Sequence, residues 1–260
     1  MNDKEKILEY LRGGSLGDLN LSWADLKGVY LSKANLSGVD LSFSDLSGAN
    51  LIGANLKDAK LMGANLSGAK LLKADLSGAD LSGADLSEAD MYKAKLVSAN
   101  LLEVKLVKAN LKQANMADVN LLYSNLREAM LIGVNLPYAD LSYANLSFVN
   151  LSSANLIFAH LTNVKLMGAN LSGADFSKAD MTEADLSNAN LTEADFSDAN
   201  LSLAILDNAI MTKAKFKNAN MKGSSRKENT IISIKPVQPQ RHYSIMRPVG
   251  AKYIDMNLIG

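Results

Sequence analysis

The chain has no cysteine among its 260 residues. Disulfides and thiolate metal sites are therefore excluded, so packing and hydrogen bonds alone must hold the fold. Histidine is almost as scarce: His160 and His242 are the only two. Of the four prolines, Pro236, Pro239 and Pro248 fall near the C-terminus. Aromatic residues make up 6%. No stretch approaches the roughly 18 consecutive apolar residues of a membrane span. The start, Met1-Asn2-Asp3-Lys4-Glu5-Lys6, carries acids and no apolar run follows it, unlike a secretion signal. The expected location is cytoplasmic, with no membrane contact. A net charge of zero hides an asymmetry. Residues 16–221 hold 22 acids and 17 bases, a balance of −5, whereas residues 222–260 hold two acids and seven bases, a balance of +5. An electrostatic partner would meet two different surfaces.

What the chain has instead is a period of five. From Leu16 to Met221 every fifth residue is large and apolar: 42 positions, filled by 34 Leu, five Met and three Phe. Two residues before each is a small one; of 41 such positions from Leu19 to Ala219, 31 are Ala, seven Val, two Ser and one Leu. A helix cannot use this period, because steps of five advance about 140° and spread the leucines over all faces. A straight strand cannot use it either, because an odd spacing alternates faces. The pattern works if the chain turns a corner once per pentapeptide, with the large residue and the small one two before it both pointing inward. Four right-angled corners close the path and predict a coil of about 20 residues.

Residues 20 apart should then stack. The three core phenylalanines, Phe176, Phe196 and Phe216, have that spacing. So do the outward pairs Trp23/Phe43, Tyr123/Tyr143 and Tyr138/Phe158, and the alternating charges Glu88, Lys108 and Glu128. Opposed unlike charges on neighbouring strands are favourable.

The unit Ala79-Asp80-Leu81-Ser82-Gly83, and its copy Ala64-Asn65-Leu66-Ser67-Gly68, resembles that of the pentapeptide-repeat proteins over roughly four-fifths of the chain. The resemblance implies an all-β solenoid, a right-handed four-sided β-helix. At strand spacing, about ten coils give a rod of roughly 50 Å. Three parts are expected: a short capping helix within 1–15, the β-helix over 16–221, and a basic, proline-containing cap or tail over 222–260. Asn2 or Asp3 can cap the helix, Ile7, Leu8 and Leu11 give it an apolar face, and Gly13-Gly14 end it. It reads as a plug for the first coil, whose unpaired edge would otherwise invite association. Ile231-Ile232-Ser233-Ile234 could pair on the last coil in the same way, with the rest an extended arm.

Function has to lie on the outward positions. Apolar residues gather there in the middle of the chain: Ile52, Met62, Leu72, Leu102, Leu122, Ile132, Ile157 and Met167. The aromatics Tyr123, Tyr138, Tyr143, Phe148 and Phe158 join them, on three adjacent sides of about two coils. Clustered exposed aromatics mark interfaces, and corner rings packed flat over a neighbouring strand are the structural alternative. The chemical candidates are few. His160 shares a column with Asp140 and Asp180, where a surface hydrogen bond explains it, and the acid pairs Asp175/Asp195 and Asp25/Asp45 have no third ligand. Ser44 and Ser124 occupy core slots and should bond backbone. No catalytic site, cofactor, metal or small-molecule substrate is expected.

Two roles remain. One is a rigid protein-interaction scaffold. The other is implied by the resemblance, since some pentapeptide-repeat proteins mimic DNA and bind DNA gyrase. Roughly 50 Å of duplex carries about 29 phosphates, against −5 here, and residues 16–221 lack the interrupting loops common in resistance-conferring members. The resemblance also implies an end-to-end homodimer through the C-terminal coil, where Phe216 and Met221 could serve.

Overall fold

The computed structural model describes residues 2–11, 20–225 and 227. Gly13-Gly14, the first large slot at Leu16, the strand expected at 231–234 and His242 lie outside them.

Residues 20–225 wind as a four-sided β-helix. Residues n and n+20 are joined by parallel bridges from Asn20↔Asp40 to Ile205↔Ser225, so the coil is 20 residues throughout. Each pentapeptide supplies one side. The Leu21 N–H donates to Asp40 O (3.0 Å) in the next coil, and the Asp45 N–H donates to Ala24 O (2.9 Å) in the previous one. Between sides, Ala24 N–H donates to Leu21 O (3.1 Å), closing a tight turn whose third residue is left-handed, as in a type II turn. The first side carries Leu21, Leu41 and so on, the second Leu26, the third Leu31, the fourth Leu36.

The core is the sum of the two inward slots. Every large slot from Leu21 to Leu206 is 1% exposed or less, and each contributes roughly 1.5–3 kcal/mol before chain entropy is subtracted. Alanine between them lets four leucines meet in one narrow coil. Phe176, Phe196 and Phe216 form the expected column, stacked at 5.1 and 5.2 Å with planes within 5°.

Where Asp or Asn precedes the large residue, it has a local task. Its Oδ1 accepts the N–H two residues on, as from Ser22 to Asn20 (2.8 Å) and from Ser142 to Asp140 (2.9 Å), an Asx turn that sets the corner. Asparagine adds a rung to the coil before it, as Asn100 Nδ2 does to Asp80 (3.0 Å) and Asn120 Nδ2 to Asn100 (3.1 Å).

Helix α1, Asp3–Leu11, closes its start with a reciprocal capping box. The Glu5 N–H donates to Asn2 Oδ1 (2.8 Å), and the Asn2 N–H donates to Glu5 Oε2 (2.9 Å). Ile7 is fully buried in the core cluster, and Asp3 accepts the Asp25 N–H (3.2 Å), so the helix is seated on the first described coil.

Candidate interaction surface

The five aromatic candidates occupy one backbone position. Each is the third residue of its turn, with φ between 58° and 62°. They therefore stand on corners, not on sides as the strand pattern alone suggests. The left-handed conformation turns the side chain outward from the corner and costs a bulky residue on the order of 1 kcal/mol relative to glycine. Twelve glycines take the same position elsewhere on the rod.

Tyr138 and Phe158 stack at 5.2 Å with planes 5° apart, on the corner between the fourth and first sides. Tyr123 and Tyr143 stack at 5.1 Å on the corner between the first and second sides. The two stacks flank the first side, about three strand residues or ~10 Å apart. On the floor between them lie Asp140 and exposed His160, bridged neighbours in one column. Phe148 stands apart, on the next corner, with the Arg127 guanidinium 5.7 Å from its ring. Lys178 continues the first stack, its ammonium 4.9 Å from the Phe158 centroid. All five rings remain exposed; Tyr138 at 59% and Tyr123 at 55% are the most open. By contrast Ile52, Leu72, Leu102, Leu122, Ile132 and Ile157 are only half-exposed. As second turn residues they lie over the coil and partly serve the packing.

The surroundings sharpen the belt. Residues 129–164 contain a single charged residue, Asp140. On the N-terminal side, residues 92–117 hold five lysines and one acid; on the C-terminal side, residues 171–200 hold seven acids and one lysine. An uncharged aromatic band thus separates a basic band from an acidic one. Composition contains this signal, but it becomes spatial only through the 20-residue register.

Other expectations fare differently. The charge ladder is half formed: Lys108 pairs with Glu128 at 3.9 Å, and Glu88 has no ion-pair partner among the described residues. His160 makes no side-chain hydrogen bond among them, and the Oδ1 atoms of Asp140 and Asp180 instead accept the Ser142 and Thr182 N–H groups in Asx turns. Ser44 donates to Leu41 O (2.7 Å) as expected, whereas the buried Ser124 Oγ has no partner among the described residues.

The carboxylates are dispersed and engaged. Burial raises the Asp75 carboxyl, but Ser77 and the cations of Lys57 and Lys95 outweigh it and hold the group below its ordinary value. Asp195 is lowered by Ser197 first, and by Lys215 at 3.0 Å. Among the described residues no three His, Asp or Glu side chains are placed to hold a metal ion. A cleft of about 280 Å³ lies between α1 and the first coil, lined by Asn2, Asp3, Lys4 and Asp25; Asp3 there is tied to Lys6 at 3.0 Å.

The pentapeptide-repeat family model matches eight times between residues 10 and 223. Among solved structures, HetL, a pentapeptide repeat protein involved in heterocyst differentiation regulation from the cyanobacterium Nostoc sp. strain PCC 7120, is 36% identical. The similarity covers 86% of this chain and 94% of HetL, with a TM-score of 0.75. Rfr23, a pentapeptide repeat protein of the cyanobacterium Cyanothece 51142, is 34% identical over 38% of this chain and 64% of its own, with a TM-score of 0.26. Trypsin-treated QnrB1, a plasmid-mediated fluoroquinolone resistance protein, is 17% identical over 76% of this chain and 87% of its own, at 0.43. No curated protein matches the chain. No helix among the described residues is long and apolar enough to cross a membrane. With the repeat unbroken through the described coils and the family model matching along them, the chain belongs to the pentapeptide-repeat family and is a right-handed quadrilateral β-helix.

Proposed function

We propose that the protein is a non-catalytic scaffold, a rigid rod that binds a protein through the belt formed by Tyr123, Tyr138, Tyr143, Phe148 and Phe158. One observation carries this reading: two exposed aromatic stacks flank the first side, and three of their four rings, Tyr138, Tyr143 and Phe158, lie within residues 129–164, which hold one charge. Large aromatics in a charge-depleted patch are the composition of interface cores. Stacking alone explains them less well, because each ring pays backbone strain where glycine would fit. HetL is described as involved in regulating differentiation, and a regulatory contact of that general kind suits a rod with no chemistry of its own. The reading keeps the cytoplasmic setting expected from the sequence.

The test is recovery of partners from native lysate by wild type and by a Tyr123/Tyr138/Tyr143/Phe158→Ser variant, with circular dichroism showing both folded. Loss of a partner from the variant supports the belt; identical partner lists remove it.

A gyrase-directed DNA mimic is the second reading. The acidic coils 171–200 favour it, with seven acids against one lysine. Against it stands the charge of the whole repeat, −5, beside about 29 phosphates on a duplex of that length. A supercoiling assay at micromolar protein showing neither inhibition nor drug protection would dispose of it. End-to-end pairing through the last coil would use Phe216 and Met221, which are only partly buried.

A further inference from the structure

Two identical rods laid side by side and antiparallel are related by a two-fold axis perpendicular to both. That operation brings each column of side chains against the same column read in reverse. A column can therefore pair with itself only if its sequence is its own complement. The corner between the fourth and first sides has such a column: Asp118, Tyr138, Phe158, Lys178. Read backwards it is base, aromatic, aromatic, acid. The axis falls between Tyr138 and Phe158, at the centre of the uncharged band.

We propose that the occupant of the belt is a second copy of this chain, docked antiparallel along the first side and its fourth-side corner. The proposal rests on the belt being an interface. Asp118 of each copy meets Lys178 of the other, and the Tyr138–Phe158 stacks face each other across the axis. The adjoining column obeys the same rule, since Asp140 meets His160 of the second copy. At the far edge of the first side, Tyr123 comes opposite the stretch between Asn163 and Glu183 of the second copy, and Tyr143 opposite the stretch between its Tyr143 and Asn163, so no like charges meet. The other corners lack this symmetry. Tyr123, Tyr143, Asn163 and Glu183 do not pair acid with base in reverse, and neither do Lys108, Glu128, Phe148 and Gly168.

The two end residues are free for the task. Asp118 accepts Ser98 Oγ at 2.9 Å and Lys178 rests over Phe158, but neither has an ion-pair partner among the described residues. They lie three coils apart, roughly 14 Å, so they cannot pair within one copy. The overlap is about 35 Å of rod, which gives an interface at the small end of specific contacts and a reversible dimer.

Sedimentation velocity of the full chain over a concentration series tests this with Asp118→Lys, Lys178→Asp and their equimolar mixture. Both substitutions put at an exposed turn residue what other coils already carry there, Lys93 and Lys213 or Asp58 and Asp198, so folding is preserved. Each variant alone should dimerise at least about tenfold more weakly, because two like-charge contacts replace two favourable ones. The mixture should regain wild-type association, since each copy supplies what the other lacks. A wild type that stays monomeric at about 1 mM overturns the proposal. So does a dimer indifferent to both swaps, as end-to-end pairing would be. If the wild type is monomeric yet the aromatic variant loses a lysate partner, the belt stands and the second copy is ruled out. If it is monomeric and the partner lists agree, both fail.

Discussion

The coils of the belt, 129–164, and the acidic coils that follow, 171–200, share one backbone and differ in almost everything outside it. In both, the large inward slots are fully buried and the small ones are Ala or Val. In both, the ladder N–H of the large residue donates to the next coil at 2.7–2.8 Å: Leu146 to Lys165, Leu186 to Ile205. The difference lies at the two turn residues and at the Asx position, which hold rings and amides in one region and carboxylates in the other. In this architecture the inward slots determine whether the chain folds, and the turn residues determine what the surface can hold.

The largest test of that separation lies in the core. Leu146→Ala and Leu186→Ala sit in one column of the second side, two coils apart, one in each region. Each should lose about 2–5 kcal/mol in chemical denaturation, and the two losses should agree within about 1 kcal/mol. A clear inequality would mean that outward residues feed back on packing.

Next in size are two turn glycines. At Gly168 a Cβ would stand 2.7 Å from the Phe148 ring, whereas at Gly173 the nearest atom is Ser153 Oγ at 3.9 Å, with φ near +65° in both. Gly173→Ala should cost about 1 kcal/mol from backbone strain alone. Gly168→Ala should cost more and displace the Phe148 ring, which thermal unfolding and aromatic proton shifts would register.

Acidification gives a smaller, regional effect. Asp40, held below its ordinary 3.8 chiefly by the Ser42 N–H, and Asp75 and Asp195 flank the belt. A carboxyl depressed in the folded state stabilises it above its unfolded pKa, and that contribution disappears as pH falls through the folded value. Hydrogen exchange below about pH 4 should therefore show protection failing first in the flanking coils. The belt, with one carboxylate in 36 residues, should follow.

The smallest effect belongs to the rings. Tyr143→Gly trades a stacked pair, worth about 0.5–1.5 kcal/mol, for relief of the left-handed turn, so the unfolding midpoint should barely move. A large loss of stability would make the aromatics structural and weaken the case for an interface.

The period of five made the core legible in the sequence, and Phe176, Phe196 and Phe216 made the coil length legible, because both are set by inward packing. Handedness was not, since no residue spacing encodes it; it came with the family. The corner placement of Tyr123, Tyr138, Tyr143, Phe148 and Phe158 was hidden because 29 non-glycine residues adopt positive φ here, against the ordinary preference of L-residues. Ser124 fills a core slot with nothing to bond among the described residues, and no pattern marks it. The complementarity of Asp118 with Lys178 appears only when residues 60 positions apart are read as one column.

The 20-residue register has a last consequence. Removing one pentapeptide would leave every inward slot filled while turning all later coils a quarter revolution against the earlier ones. A ring that faced north would then face east. Such a rod can have its surface re-indexed, one face against another, by changes in length that never touch its interior.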